Sequence, residues 1–168
     1  ASREARGGAV ESETFSAEMD VLLGRIYADA TSETDTPVAL IAIGGYGRCQ
    51  LCLHSDIDLL ILFGGPIEAS EERIVKALLH PLWDLGLAVG HQIRQLSELE
   101  QPEVDNPEFL TAVTNARFLA GEASLFDGFT QEVLSPRSAW RQPTVDALCQ
   151  LVADRHHTFN STIYQLEP

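Results

Sequence analysis

Apolar residues recur along this chain with two different periods. Between Phe15 and Ala30 they return every three or four positions, which predicts an amphipathic helix. Residues 38–43 and 56–63 are instead apolar at almost every position and predict two buried strands. The later patterns predict a third strand over 87–94 and an extended segment or helix end over 117–121. They also predict further helices over 70–85, from 106, over 122–134 and over 143–160.

This order of elements predicts the fold class and the domain organisation. Strands and helices that alternate and then give way to helices indicate an α/β fold, a small mixed sheet flanked by helices with a helical C-terminal half. Residues 15–105 are predicted to form the core, and residues 106–168 a helical extension packed on it. Residues 1–14 are small and charged, and we expect them to be disordered or extended.

The composition excludes some classes of partner. The 168 residues carry a formal net charge of −14, and such a field repels phosphate backbones, so no nucleic acid is expected as a partner. No apolar run approaches the ~20 residues that span a bilayer, so no membrane association is expected. Three cysteines are too few for a disulfide framework, which favours a cytoplasmic setting. A redox or zinc site at Cys49 and Cys52 stays an alternative, although this C-x-x-C spacing has no second ligand pair.

Asp56 and Asp58 introduce the first candidate chemistry. Because side chains alternate along a strand, both carboxylates point to the same face. Two carboxylates about 5 Å apart repel each other by about 3 kcal/mol at an effective dielectric constant of about 20. A divalent cation would remove this repulsion, and Mg²⁺, with Mn²⁺ as an alternative, binds one or two carboxylates together with water and substrate phosphates. The two aspartates are therefore the candidate metal ligands and catalytic residues.

A glycine-rich turn, Gly44-Gly-Tyr-Gly47, lies between the first two predicted strands. Gly44 and Gly45 lack a Cβ, so backbone N–H groups there can approach an anion closely, and Arg48 can add a bidentate phosphate contact. The Ser55 hydroxyl either contacts a phosphate or only caps the turn. Each motif alone is weak evidence, since G-G-x-G is often a plain turn and D-x-D often lies on a solvated face. Together they predict a site for phosphoryl or nucleotidyl transfer.

The stretch GGYGRCQLCLHSDIDLLILF, residues 44–63, resembles the signature of the polymerase-β-like nucleotidyltransferase superfamily. More narrowly, it resembles the N-terminal domain of the bacterial P-II protein uridylyltransferase/uridylyl-removing enzyme family, whose pattern is roughly G-G-Y-G-R-G-E-L followed by S-D-I-D-L-L. The segments 78–98, 114–126 and 155–168 support the resemblance, which extends over roughly residues 15–168.

The resemblance implies a sheet of the polymerase-β-like nucleotidyltransferase type. It also implies transfer of UMP from UTP, or of another nucleotide from its triphosphate, to a tyrosine hydroxyl of a P-II-type signalling protein, a reaction that reports nitrogen status. In such a site the two aspartates hold the metal, and the glycine turn, Arg48 and Ser55 bind the nucleotide. The resemblance further implies that the chain is part of a longer protein with additional regulatory domains.

Three positions differ from the family pattern. Cys49 and Gln50 stand where the family has Gly and Glu, and Asn115 stands where it has Asp. The superfamily often has a third metal carboxylate on the third strand, but this strand has no acid. His91 either substitutes for that group or is a hydrogen-bonded histidine at the strand end. Two alternatives therefore stay open: a catalytically weakened nucleotide-binding regulatory module of the same fold, or a nucleotidyltransferase with a different acceptor, such as a toxin or an antibiotic.

Overall fold

The computed structural model describes residues 4–52, 55–135 and 137–158. Its helices are α1 (Glu4–Thr31), α2 (Gly44–Gly47), α3 (Ala69–Asp84), α4 (Pro107–Ala112), α5 (Ala123–Phe129) and α6 (Arg141–Thr158). Its strands are β1 (Val38–Ala42), β2 (Ile57–Phe63), β3 (Val89–Gln95) and β4 (Arg117–Gly121). The three predicted strands are confirmed, each within about two residues of its expected bounds, which is the usual uncertainty of a strand or helix end.

The strands form one mixed sheet in the order β3-β2-β1-β4. β1 is antiparallel to both of its neighbours, whereas β2 and β3 are parallel. Because parallel neighbours need a crossover connection, α3 lies between β2 and β3 in the sequence. All residues of β1 are buried, which explains why this strand is apolar throughout rather than alternating. The predicted mixed sheet flanked by helices is confirmed.

Helices cover both faces of the sheet. One hydrophobic core joins the sheet to α1 and α3, through side chains that include Leu40 and Leu59. The other joins it to α4, α5 and α6, through side chains that include Ile41 and Leu60. Asp58 comes two residues before Leu60 and therefore shares this second face. Within the described part of the chain, no helix combines the length and the apolar composition needed to cross a membrane.

Two expectations about the ends of the chain are corrected. α1 begins at Glu4, so residues 4–14 are helical rather than disordered or extended. Several good helix formers in this segment let the helix extend beyond its amphipathic part. The C-terminal half is not entirely helical, because β4 pairs with β1 as an edge strand. The predicted boundary after residue 105 therefore divides one sheet, and residues 159–168 of the predicted extension lie outside the described residues.

Candidate active site

The start of β2 carries the two candidate metal ligands. Asp58 is the second residue of β2 and is partly buried, whereas Asp56 precedes the strand and is exposed. The Asp58 carbonyl accepts a hydrogen bond from the Ile43 N–H at 3.0 Å, so the end of β1 lies beside it. The glycine turn follows directly after Ile43 and forms the single-turn helix α2. The structure thus brings the glycine turn and Asp58 together.

Two glycines leave space for the Asp58 carboxylate. Gly44 has a φ of +59°, and a Cβ at this position would lie 2.8 Å from Asp58 Oδ2. Gly90 is opposite Asp58 in the β2–β3 register, and a Cβ there would lie 2.6 Å from Oδ1. The Asp58 carboxylate therefore occupies the space that a Cβ atom would fill if Gly44 or Gly90 were any other residue. The sequence pattern does not single out Gly90, although a glycine inside a strand can mark the close approach of another group.

Burial and charge both oppose ionisation of Asp58. The pKa of Asp58 is raised above its ordinary value, chiefly by desolvation and then by the nearby Asp56 carboxylate. A divalent cation would offset both effects, and carboxylate oxygens are ligands that suit Mg²⁺. The pair therefore fits a site in which Mg²⁺ completes its coordination with water and phosphate. Among the described residues, no group of three or more histidine, cysteine or acidic side chains could hold a metal ion.

Two other candidate phosphate ligands have partners within their own loop. Ser55 is exposed, and its Oγ accepts a hydrogen bond from the Cys52 N–H at 3.2 Å, which is the turn-capping role. Arg48 is exposed beside Gly45, and its Nε donates a hydrogen bond to Gln50 Oε1 at 3.0 Å. Because both contacts lie at the surface, either side chain can exchange its partner for a phosphate at little cost.

His91 lies on the other side of the sheet from the aspartate pair. It follows Gly90 on β3, so its side chain leaves the face opposite to that of Asp58. There it is exposed, and its ring packs edge-to-face on Trp83 with 5.9 Å between the ring centroids. The histidine therefore forms an aromatic contact with α3 and does not replace a third carboxylate beside Asp58.

A polar network lies behind the glycine turn, and no sequence motif indicates it. Tyr46 of α2 is fully buried and donates a hydrogen bond to Asp20 Oδ1 at 2.6 Å. Arg117 of β4 donates to both carboxylate oxygens of Asp20, at 2.6 and 3.0 Å, and to the Tyr46 carbonyl at 3.4 Å. Burial, followed by the hydrogen bond to Asp20, raises the pKa of Tyr46, and the hydrogen bonds to Asp20 raise the pKa of Arg117. The network fastens α2 to α1 and β4.

Cys49 occupies a backbone conformation that favours glycine, the residue that the family pattern has there. Its φ is +57°, in the left-handed region, where a non-glycine residue costs about 1–2 kcal/mol.

We expect Cys49→Gly to raise the free energy of unfolding by about 1 kcal/mol, because the greater freedom of glycine in the unfolded chain offsets part of the relief of backbone strain. Chemical denaturation measures this change. Cys149→Ala, at an exposed position of α6, is the control and should stay within about 0.5 kcal/mol of the parent. A Cys49→Gly protein that is less stable than the parent would contradict the expected strain.

A cleft with a volume of about 280 Å³ opens beside Asp58, between β3 and α4. The sheet contributes Asp58, Gly90 and Gln92 to its lining, and the opposite wall includes Asn106, Glu108 and Phe109. Asp58 therefore borders both the glycine turn and a partly open cleft that is large enough for part of a small ligand.

Curated relatives of this chain are nucleotidyltransferases by name. The bifunctional uridylyltransferase/uridylyl-removing enzyme of Pasteurella multocida is 38% identical over 135 residues, which are 80% of this chain and 16% of that protein. The enzyme of the same name from Methylococcus capsulatus is 33% identical over 151 residues, 89% of this chain and 17% of that protein. The one from Bordetella parapertussis is 39% identical over 132 residues, 77% of this chain and 15% of that protein.

Over the aligned residues, the chain belongs to the family of bifunctional uridylyltransferase/uridylyl-removing enzymes. This confirms the family resemblance. The chain spans only 15 to 17% of the length of these relatives. No protein-family model matches the chain. A solved toxin–antitoxin structure with AMP-PNP is 15% identical, with a TM-score of 0.39, and the match covers 82% of this chain and 96% of the solved chain.

Proposed function

We propose that this chain catalyses the Mg²⁺-dependent transfer of UMP from UTP to a protein hydroxyl, the tyrosine of a P-II-type signalling protein. The observation that carries the proposal is the Asp58 carboxylate, which is held between Gly44 and Gly90, has Asp56 nearby, and has a raised pKa. Such an arrangement costs free energy unless a cation joins it. The names of the relatives support the choice of uridylyl transfer.

Each residue of the site has a separate role in this reaction. Asp56 and Asp58 would hold Mg²⁺, which when bound would neutralise phosphate charge and lower the pKa of the acceptor hydroxyl. Gly44 and Gly45 begin α2, where backbone N–H groups lack intrahelical partners and can donate to a phosphate. Arg48 would add a charged contact. The acceptor oxygen bonds to the α-phosphorus, the bond from that phosphorus to the bridging oxygen breaks, pyrophosphate leaves, and the hydroxyl proton passes to solvent.

We further propose that the chain works as one part of a longer cytoplasmic protein with regulatory domains that respond to nitrogen status. The basis is the small share of each relative that the chain covers. In that setting the site described above would supply the transfer reaction, while the acceptor protein and the nucleotide arrive from solution.

The test is transfer of labelled UMP from UTP to a P-II-type acceptor. We expect incorporation in the presence of Mg²⁺, its loss by at least about 100-fold in EDTA, and its recovery when Mg²⁺ or Mn²⁺ is restored. An acceptor with its tyrosine changed to phenylalanine is the control and should remain unlabelled. Incorporation that persists unchanged in EDTA, or on the phenylalanine acceptor, would contradict the proposal.

A second candidate function is a nucleotide-binding regulatory module with weakened catalysis. The observation that favours it is that no third acidic, cysteine or histidine side chain joins the aspartate pair within the described residues. Binding of Mg-UTP without incorporation into any acceptor would identify the module. Incorporation into a different acceptor, with P-II-type protein unlabelled, would identify a nucleotidyltransferase of other specificity.

A further inference from the structure

One face of α1 supports the glycine turn from behind. Ser12, Ser16 and Asp20 follow each other at intervals of four residues, so their side chains lie in one row along the helix. The Asp20 carboxylate contacts the turn itself, and the two serines contact the residues that come directly after it. A helix that packs its apolar side on the sheet therefore also presents a polar row to the candidate site.

The two serines fix the loop that leaves the turn. Ser16 is almost completely buried, and its Oγ accepts a hydrogen bond from the Leu51 N–H at 3.3 Å. Leu51 is buried as well, so this hydrogen bond satisfies a backbone donor inside the protein. The Ser12 hydroxyl donates to the Cys49 carbonyl at 3.4 Å. The loop thus leaves α2 along a path that α1 determines.

The contact at Tyr46 is the shortest in this row. The Tyr46 hydroxyl donates to an ionised acceptor, the Asp20 carboxylate, and such charge-assisted hydrogen bonds are stronger than neutral ones. Asp20 is fixed in turn by the two hydrogen bonds from Arg117, the first residue of β4. The next residue of the turn, Gly47, packs so closely on the Asn115 carbonyl that a Cβ there would overlap it. α2 is therefore held between α1 and the start of β4.

The front of the same turn borders the Asp58 carboxylate. Gly44 is two residues before Tyr46, and a Cβ at Gly44 would lie 2.8 Å from Asp58 Oδ2. Because α2 consists of the single turn Gly44–Gly47, a displacement of Tyr46 also moves Gly44. The hydrogen bond at the back of the turn therefore controls the space that remains for the carboxylate at the front.

We propose that Tyr46 is a positioning residue, and that its hydrogen bond to Asp20 sets the distance between the glycine turn and the Asp58 carboxylate. This inference rests on the proposed function, in which the turn binds phosphate and Asp58 holds the metal. Tyr46 takes no part in the chemistry, since its hydroxyl is bound to Asp20 and it acts only through the backbone of α2. The affinity of the site for a metal–triphosphate depends on this hydrogen bond.

Calorimetric titration of the whole chain with Mg-UTP tests the positioning role. Tyr46→Phe removes the hydroxyl and keeps the buried ring. We expect its Kd for Mg-UTP to rise about tenfold, because a small misplacement of binding groups is costly, while the number of binding sites per chain stays unchanged. A merely structural role would instead lower the number of sites per chain and leave the Kd of the folded molecules as in the parent.

Tyr27→Phe is the matched control. The Tyr27 hydroxyl is also partly buried and donates to the Val38 carbonyl at 3.0 Å, at the opposite end of β1 from the glycine turn. Both variants lose one tyrosine hydrogen bond and should melt below the parent, but Tyr27→Phe should keep the parent's Kd. Asp20→Asn is a second variant of the network. It removes the ion pair with Arg117, and its Kd should rise at least as much as that of Tyr46→Phe.

The outcomes separate this inference from the proposed function. If the parent transfers UMP while folded Tyr46→Phe and Asp20→Asn proteins both keep its Kd, the positioning role is wrong and the proposed function stands. An equal rise of the Kd in Tyr27→Phe also overturns the positioning role, since the effect would then not depend on the turn. If the parent binds no Mg-UTP and transfers no UMP, the proposed function fails and the positioning role fails with it.

Discussion

Asp58→Asn should abolish nucleotide transfer while making the metal-free protein more stable. Loss of the carboxylate removes one of two proposed metal ligands, and we expect incorporation of labelled UMP to fall by at least about 100-fold. The folded state raises the pKa of Asp58 above its unfolded value, so ionisation of this group lowers stability as the pH rises through the unfolded pKa, and the full loss is present above the folded pKa. Asparagine carries no charge to desolvate or repel. Thermal unfolding at neutral pH without Mg²⁺ should therefore occur at a higher temperature in the variant.

Two further variants make this prediction specific. Asp56→Asn should reduce transfer in the same way, because it removes the partner carboxylate. Asp127→Asn, at an exposed position of α5, makes the same chemical change outside the site and should leave both transfer and melting temperature unchanged. Transfer that survives in both site variants, or an Asp58→Asn protein that melts below the parent, would contradict the role assigned to the pair.

Arg117→Ala should produce the largest loss of stability among single changes around the site. The substitution leaves the partly buried Asp20 carboxylate with the Tyr46 hydroxyl but without its cation, and it removes the guanidinium that lies 5.3 Å from the centroid of the Tyr46 ring. We expect the free energy of unfolding to fall by about 2 kcal/mol, less than for a fully buried pair because both side chains retain some exposure to solvent. Chemical denaturation measures the change.

Matched variants distinguish the network from charge in general. Arg117→Lys keeps the charge but not the bidentate geometry, so its stability should lie between those of the parent and Arg117→Ala. Lys76→Ala removes a cation from an exposed ion pair with Glu72 and should change stability by less than about 0.5 kcal/mol. Equal stability of Arg117→Ala and Lys76→Ala would show that the network does not fasten the glycine turn.

Local sequence signals were sufficient wherever a structure depends on neighbouring residues. The Asn106-Pro107 pair predicts the start of α4, and the structure confirms it, with Asn106 capping the helix. The continuous apolar runs predict β1 and β2 because both strands are buried on both faces. The five residues of β4 were ambiguous, since so short a segment has no distinguishable period, and only its pairing with β1 decided its structure.

The candidate site likewise has some features that the sequence predicts and others that depend on the tertiary structure. The sequence by itself determined that a glycine turn and an Asp-x-Asp pair lie close together in the chain, and the resemblance of this stretch to the family pattern was enough to predict the family. Only the tertiary structure decided that Gly90 leaves room for the Asp58 carboxylate, and that Gln92 faces the same cleft. It also brought Arg117 to Asp20, which is 97 positions away in the chain. Such contacts depend on the order and register of the strands, and these are set by the packing of the whole sheet rather than by any local pattern.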